Sequence, residues 1–452
     1  MRNIHIRIYK IKIMSNEMKI KSKLIIFQNL ISVNMKNYAI LSSMLFFLCL
    51  SCANMEKNIN SNGVKEINIL DCLSTDNKEI VNLSSIALSI EYCMLETDEN
   101  CLISDGAVFY STKDKVVVID NRGCYVFDRE TGRFIRRIAS RGQGPDEYVW
   151  AEKNFWDAEN ELVCFRGNNN YYLFYSIDGT LYNKVNRFSN SGDPLVLYED
   201  VYVRYVPDIR GNATIRIAFY NKKGDLIDSI PNHRLFKRDL SGSSDPLSVT
   251  DSWLYVFCDT LCYRDLYCDT LYQIKDFKLY PRFIFNTGGL TVPYKMRDGR
   301  YDISAALEGG EVIDRYEKYV NISKLLEDNR YMYFTLDHRK AAYRIIYDKN
   351  EDDFHVISKI PNAMPSIRID GISSTKGDQK RISHSKIDND LDGGLPFWPD
   401  QMISEKEMMC VFSAEELLGL DTSKITDPKL KSLLNSLEED SNPVVAIVTL
   451  KD

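Results

Sequence analysis

Three turn glycines, Gly132, Gly179 and Gly224, recur 47 and 45 residues apart, each inside a pair of short β-type runs. The clearest copy is "KVVVIDNRGCYVFDRETGRFIRRI": a strand over Val116–Asp120, a turn at Asn121-Arg122-Gly123, a second strand over Cys124–Asp128, and a turn at Gly132 into Phe134-Ile135. The next places strands over Leu162–Phe165 and Tyr171–Tyr175 with a turn at Asp178-Gly179, and "TIRIAFYNKKGDLIDSI" turns at Lys223-Gly224. A period of 40–50 residues with about four short strands per unit is the signature of propeller blades. Abundant Tyr (27) and Phe (20) with recurrent Val and Ile favour strands over helices.

Later copies are less regular, turning near Asp276-Phe277 and Asn350-Glu351, and an insertion over Thr287–Asn321 with room for a short helix separates them. Five hairpins are visible. Strands at Glu66–Leu70, Ile90–Leu95 and Val444–Leu450 remain, as a sixth blade closed by the two termini requires. Ser413-Ala414-Glu415-Glu416 has capping-box spacing, and Leu430, Leu433, Leu434 and Leu437 follow Asp427-Pro428 as an apolar stripe expected to pack on the propeller. The expected fold is all-β: a six-bladed β-propeller over residues 66–452, with a short C-terminal helical insertion before the closing strand.

Four stretches sharpen this: Arg141-Gly142-Gln143-Gly144-Pro145-Asp146-Glu147-Tyr148, the Cys268–Tyr272 strand, Asn389–Pro399, and Asn442-Pro443-Val444. On them the chain resembles the six-bladed β-propeller lipoproteins common in Bacteroidota, a family distantly similar to NHL-repeat propellers. The resemblance implies a fold and an address, and no reaction.

The address is also written in the first 51 residues, which hold eight Lys/Arg and one Asp/Glu. Met35-Lys36-Asn37 is a basic start and Tyr38–Leu50 an apolar run of 13 residues, too short to span a bilayer and suited to a signal-peptide core. Leu48-Cys49-Leu50-Ser51-Cys52 resembles the lipobox of bacterial lipoproteins, with Cys49 where Leu is usual. The resemblance implies lipidation of Cys52, a true start at Met35, a flexible tether over residues 52–65, and an outer-membrane lipoprotein facing the periplasm or the cell surface.

The chain's net charge is −7, so the part after residue 51 carries −14 and no basic stripe; nucleic acid is not an expected partner. Nine cysteines remain after Cys49 and Cys52, irregularly spaced and without a C-x-x-C pair, and the five histidines show no zinc spacing. Buried free thiols are expected, although Cys258, Cys262 and Cys268 are close enough in sequence to hold one disulfide.

"RGQGPDEY" lacks the Lys and Ser/Thr of a Walker loop: Gly144 is followed by Pro145-Asp146, and a strand follows rather than a helix. It reads as the link between blades, with glycines free to take positive φ, Glu147 and Arg141 paired across the turn and Tyr148 plugging the seam; Arg141, Asp146, Glu147 and Tyr148 are also placed for a ligand site at the rim. In "DNDLDGG", Asp388, Asp390, Asp392 and Gly393 match positions 1, 3, 5 and 6 of an EF-hand loop, but Pro399 stands where the bidentate Glu belongs. A Ca²⁺ ion held by Asp388, Asp390 and Asp392 is the one cofactor the pattern admits; otherwise none is expected. Asp390 and Asp392 beside an exposed Trp398 would suit carbohydrate stacking, and this loop is the expected binding surface.

No G-x-S-x-G occurs, and Ser383-His384-Ser385 is spacing that chance supplies. The expectation is a membrane-anchored binding or scaffolding module for a protein, peptide or glycan. The alternative is a hydrolase or lyase with carboxylates at the central channel.

Overall fold

The middle strands are buried on both faces. Lys115–Ile119, Cys124–Asp128 and Thr260–Asp265 are buried almost throughout, without the alternation of a half-exposed sheet. Such strands need cover on two sides, and radial stacking of sheets supplies it. The computed structural model describes residues 63–74, 81–188, 195–208, 211–236, 252–298, 301–302, 313–361, 368–369, 372–373 and 386–451.

Six blades of four antiparallel strands follow one another, written here from the innermost strand outwards. Blade 1 is Val108–Ser111, Lys115–Ile119, Cys124–Asp128 and Phe134–Ile138; blade 2 is Tyr148–Asp157, Leu162–Gly167, Tyr171–Ser176 and Leu181–Asn186. Blade 3 is Leu195–Tyr198, Val201–Tyr205, Ile215–Tyr220 and Leu226–Pro231; blade 4 is Ser252–Phe257, Thr260–Asp265, Thr270–Lys275 and Lys278–Asn286. Blade 5 is Asn321–Glu327, Tyr331–His338, Ala341–Asp348 and Asp353–Pro361. Blade 6 is Gln401–Met402, Glu407–Phe412, Val444–Leu450 and, from the other end of the chain, Ala87–Met94. The fold is a six-bladed β-propeller.

Each seam has its own apolar cluster. Tyr148 and Phe165 meet Val117 and Val126 between blades 1 and 2, and Tyr333, Trp398 and Phe412 lie between blades 5 and 6. Blade 6 closes on blade 1 through Cys93, Met409 and Ile447 against Val116, Val118 and Phe127. The repeat glycines Gly132, Gly179 and Gly224 have φ of +70°, +90° and +84°, the left-handed region that favours glycine.

Two expectations are corrected at the N-terminus. The strand placed at Glu66–Leu70 is Lys65–Asn68, followed by a helix over Ile69–Ser74. It does not help close blade 6 but pairs in parallel with Lys278–Asn286, covering the outer edge of blade 4, while Ala87–Met94 alone closes the ring. Of the Cys268–Tyr272 strand, Cys268 and Asp269 lie in the turn before Thr270–Lys275. The C-terminal insertion is as expected: Ser413 and Glu416 form a capping box, Pro428–Ser436 is a helix, and Leu430, Leu434 and Leu437 are buried against blades 5 and 6.

Antiparallel connectivity makes the two ends of the propeller unequal. First-to-second and third-to-fourth strand turns share one face, and none exceeds five residues. Several are bonded to each other: Tyr198 donates to the Asp259 carbonyl at 2.6 Å, Cys258 to Asn329 Oδ1 at 3.3 Å, and Asn329 Nδ2 to Glu405 Oε2 at 3.2 Å. The other face carries the described blade-to-blade crossings, such as 95–107 and 139–147, and the helical insertion. That long-loop face has room for a site.

Candidate functional site

On the long-loop face, "RGQGPDEY" is the crossing from blade 1 to blade 2. Arg141 and Tyr148 bridge in parallel; the Gly142 N–H donates to the Tyr148 carbonyl at 3.0 Å and the Tyr148 N–H to the Ser140 carbonyl at 3.0 Å. Tyr148 is buried, stacks on Phe165 at 4.6 Å and donates to the Arg122 carbonyl at 3.1 Å, which plugs the seam. Two details differ from expectation. Glu147 turns inward to accept from the Gly144 N–H at 2.7 Å and does not pair with Arg141. Neither Gly142 nor Gly144 has positive φ; a Cβ at 142 would sit 2.0 Å from Glu147 Oε2, so a larger residue there would displace the Glu147 carboxylate. Asp146 lies near Lys184 Nζ at 3.4 Å, and its carbonyl accepts from the Tyr175 hydroxyl at 2.8 Å.

The Asn389–Pro399 loop is docked between blades 5 and 6. Asp390 accepts from the Ser84 N–H at 2.8 Å, and the Asp388 carbonyl accepts from the Leu83 N–H at 2.7 Å. Asp392 is buried and accepts from Asn389 Nδ2 at 2.7 Å and the Gly394 N–H at 2.8 Å; burial nevertheless raises its pKa. Trp398 is not exposed. At 6% exposure it packs edge-on to Tyr333, with the Arg344 guanidinium over its ring at 5.3 Å, so no stacking platform exists there. Asp390 and Asp392 are used by separate contacts and Asp388 is held through its backbone, and among the described residues no group of three His, Cys, Asp or Glu is placed to hold a metal ion.

The described cysteines are free thiols, and all but Cys258 are buried. Burial pushes Cys72, Cys93 and Cys262 up to about 12, and desolvation with the Glu405 contact takes Cys258 to about 11. A raised pKa is the opposite of what activates a cysteine nucleophile. The Glu327 carboxylate between blades 4 and 5 is saturated by Arg282, by the Tyr255 hydroxyl at 2.8 Å and by Lys349 Nζ at 3.4 Å.

A polar and aromatic assembly on the long-loop face lies over blades 3 and 4. Arg297, on the short 3₁₀ turn Tyr294–Asp298, holds its guanidinium carbon 5.8, 5.5 and 5.5 Å from the ring centres of Tyr205, Tyr267 and Tyr294. It donates to the hydroxyls of Tyr205 at 2.5 Å and Tyr294 at 3.3 Å. Arg234, exposed, places its guanidinium 5.7 Å from the Tyr294 ring and donates to the Tyr267 carbonyl at 3.3 Å. Around Arg216, burial works against the charge, but Tyr263, Asp265, Tyr294 and Tyr205 outweigh it and raise the pKa. Asn232 Nδ2 donates to Asp208 Oδ2 and the Tyr294 hydroxyl, both at 3.3 Å. Three guanidinium groups thus gather around one half-exposed tyrosine. The arrangement offers cations, hydroxyls and ring faces to a ligand, and no nucleophile–base pair.

A family model described as a domain of unknown function, DUF4934, matches residues 64–449. The chain belongs to the DUF4934 family. Among solved structures this DUF4934 chain is similar to a putative exported protein from Bacteroides fragilis NCTC 9343, at 18% identity and a TM-score of 0.56, over 86% of this chain and 99% of that one. It also aligns with a member of the DUF4221 family from Bacteroides vulgatus ATCC 8482, at 12% identity and a TM-score of 0.43, over 81% and 97% of the two chains. No curated protein matches it. The first likeness supports the propeller fold. The arginine–tyrosine cluster of the DUF4934 chain escapes sequence reading because its parts come from residues 205 to 297, on different strands and crossings; the surplus of tyrosine was its only trace.

Proposed function

We propose that this protein is an envelope-anchored, non-catalytic binding module that takes an acidic glycan on its long-loop face over blades 3 and 4. The observation that carries the reading is the gathering of Arg216, Arg234 and Arg297 around Tyr294, on a chain whose body is strongly acidic. Guanidinium groups recognise carboxylates and tyrosine faces stack on sugar rings. The tight-turn face, laced turn to turn, serves as the rigid side of the scaffold. Anchoring rests on the lipobox-like Leu48–Cys52, which lies outside the described residues, and on similarity to a protein described as exported.

Purified protein presented with uronate-bearing and neutral polysaccharides should retain the acidic set. Arg297→Ala and Arg234→Ala should each weaken binding roughly tenfold, the scale of a lost anchor of 1–2 kcal/mol. Equal binding of neutral and acidic sugars, or turnover of either at ordinary enzyme rates, would overturn the proposal. Anchoring is checked by fractionation: Cys52→Ala should leave the membrane fraction or accumulate unprocessed, and an unchanged membrane fraction counts against lipidation.

A further inference from the structure

Arg264 stands apart from the cluster described above. It lies in the second strand of blade 4, on the side facing blade 5, and is 3% exposed. Its Nη1 donates to the Ile322 carbonyl at 3.1 Å, and the ring centres of Trp253 and Phe285 lie 5.2 and 5.4 Å from its guanidinium carbon. Nε has no acceptor, and Nη2 makes no hydrogen bond among the described residues. The idle pair, Nε with Nη2, is the side-on edge by which a guanidinium grips a carboxylate through two parallel hydrogen bonds.

The nearby carboxylates are engaged elsewhere. Asp265 accepts from the Tyr263 hydroxyl at 3.3 Å and the Tyr267 N–H at 2.8 Å, and Asp269 accepts from the Thr270 hydroxyl at 2.8 Å. Burial pushes the Arg264 pKa down to about 10, still charged at neutral pH. A buried charge without a counterion is costly, and an apolar side chain of similar length would fill the space between two rings more favourably. Of the four other buried atoms without partners among the described residues, two are Ser252 Oγ and Asn321 Oδ1. They are the first residues of the innermost strands of blades 4 and 5; Ser252 precedes Trp253, and Asn321 precedes the Ile322 that Arg264 binds. Asn321 presents a donor instead when its amide is turned over.

We infer that Arg264 anchors a carboxylate-binding site at the heads of the innermost strands of blades 4 and 5. One buried cation suits a singly charged, planar anion better than a phosphate, which would bring a second charge into the same space. The site does not depend on the glycan reading over blades 3 and 4.

The test uses the purified protein with sodium acetate as probe, against sodium chloride at equal ionic strength and neutral pH. Acetate should raise the melting temperature saturably by about 1–3 °C, while chloride should not. Arg264→Met should be at least as stable as the wild type without acetate and should not respond to it. No response in the wild type, the same response in Arg264→Met, or an equal rise with chloride overturns the inference. If Arg264→Met does not fold, arginine-¹⁵N-labelled wild type decides: acetate should shift one Nε–H resonance that chloride leaves in place, and a spectrum unmoved by acetate overturns the site. Arg297→Ala should keep the acetate response, so failure of the glycan reading remains distinguishable.

Discussion

Several of this protein's aspartates are structural, and Asp120 shows how. It is 1% exposed and accepts from the Ser104 N–H at 2.8 Å, the Ser104 hydroxyl at 2.7 Å, and the N–H groups of Arg122 at 2.7 Å and Gly123 at 2.8 Å. Asp157, Asp328 and Asp348 close turns the same way, each taking two backbone N–H groups ahead of it. Burial of Asp120 alone would raise its pKa, but the bonds from Ser104, Arg122 and Gly123 outweigh it and hold the carboxyl below its ordinary value. A depressed folded-state pKa contributes stability that is full above the unfolded value and is lost as pH falls through the folded one. Asp120→Asn puts an amide N–H toward donors and should cost about 1–3 kcal/mol at neutral pH. Urea titrations should show that gap constant above the ordinary carboxylate range and narrowing below it. A gap that does not change on acidification would mean the charge of Asp120 is not what holds the turn.

At the scale of elements, the sequence reveals what a single strand or turn determines and conceals what a partner determines. Gly132, Gly179 and Gly224 were readable because their positive φ demands glycine whatever surrounds them. The tight turns at Glu199-Asp200 and Cys258-Asp259 also have both residues at positive φ, yet neither contains the Gly or Asn that would announce it; register between the flanking strands imposes that geometry. Lys65–Asn68 was legible as a strand, but its pattern says only that one face is buried, and it does not say that Phe285 of blade 4 is the neighbour of Ile67. Trp398 looked like a platform because carboxylates flank it in sequence. Asp390 and Asp392 are instead turned to Ser84, Asn389 and Gly394, which leaves the indole to fill the seam. The arginine–tyrosine cluster was illegible for a related reason: spacing along the chain carries no information about which crossings meet over blades 3 and 4.

For the whole molecule, closure of the ring outweighs any single contact. A blade has two faces and every seam is filled, so opening one seam uncovers two sheets at once. The closing seam depends on Ala87–Met94, paired along its length with Val444–Leu450. Without it, a strand reading "VVAIVTL" becomes an exposed edge, a template for intermolecular pairing. Cys93 would also leave the cluster it shares with Val116, Val118 and Phe127. Full burial of a single large apolar side chain is worth about 1.5–3 kcal/mol, and a domain's whole margin is about 5–15 kcal/mol. The strand Lys65–Asn68 is different in kind. It adds an outer fifth strand to blade 4 and buries Ile67 in the cluster between blades 4 and 5, but it is not the strand that closes the ring. A chain beginning at Val81 should therefore remain folded, with a lower denaturation midpoint and more self-association through the uncovered edge. A chain beginning at Leu95 should lose its near-UV circular dichroism and elute as aggregate. A synthetic peptide spanning residues 85–95, added during refolding, should restore the monomer by completing blade 6. A Leu95 start that runs as a monomer with native near-UV signal would show that the six seams hold without the closing strand.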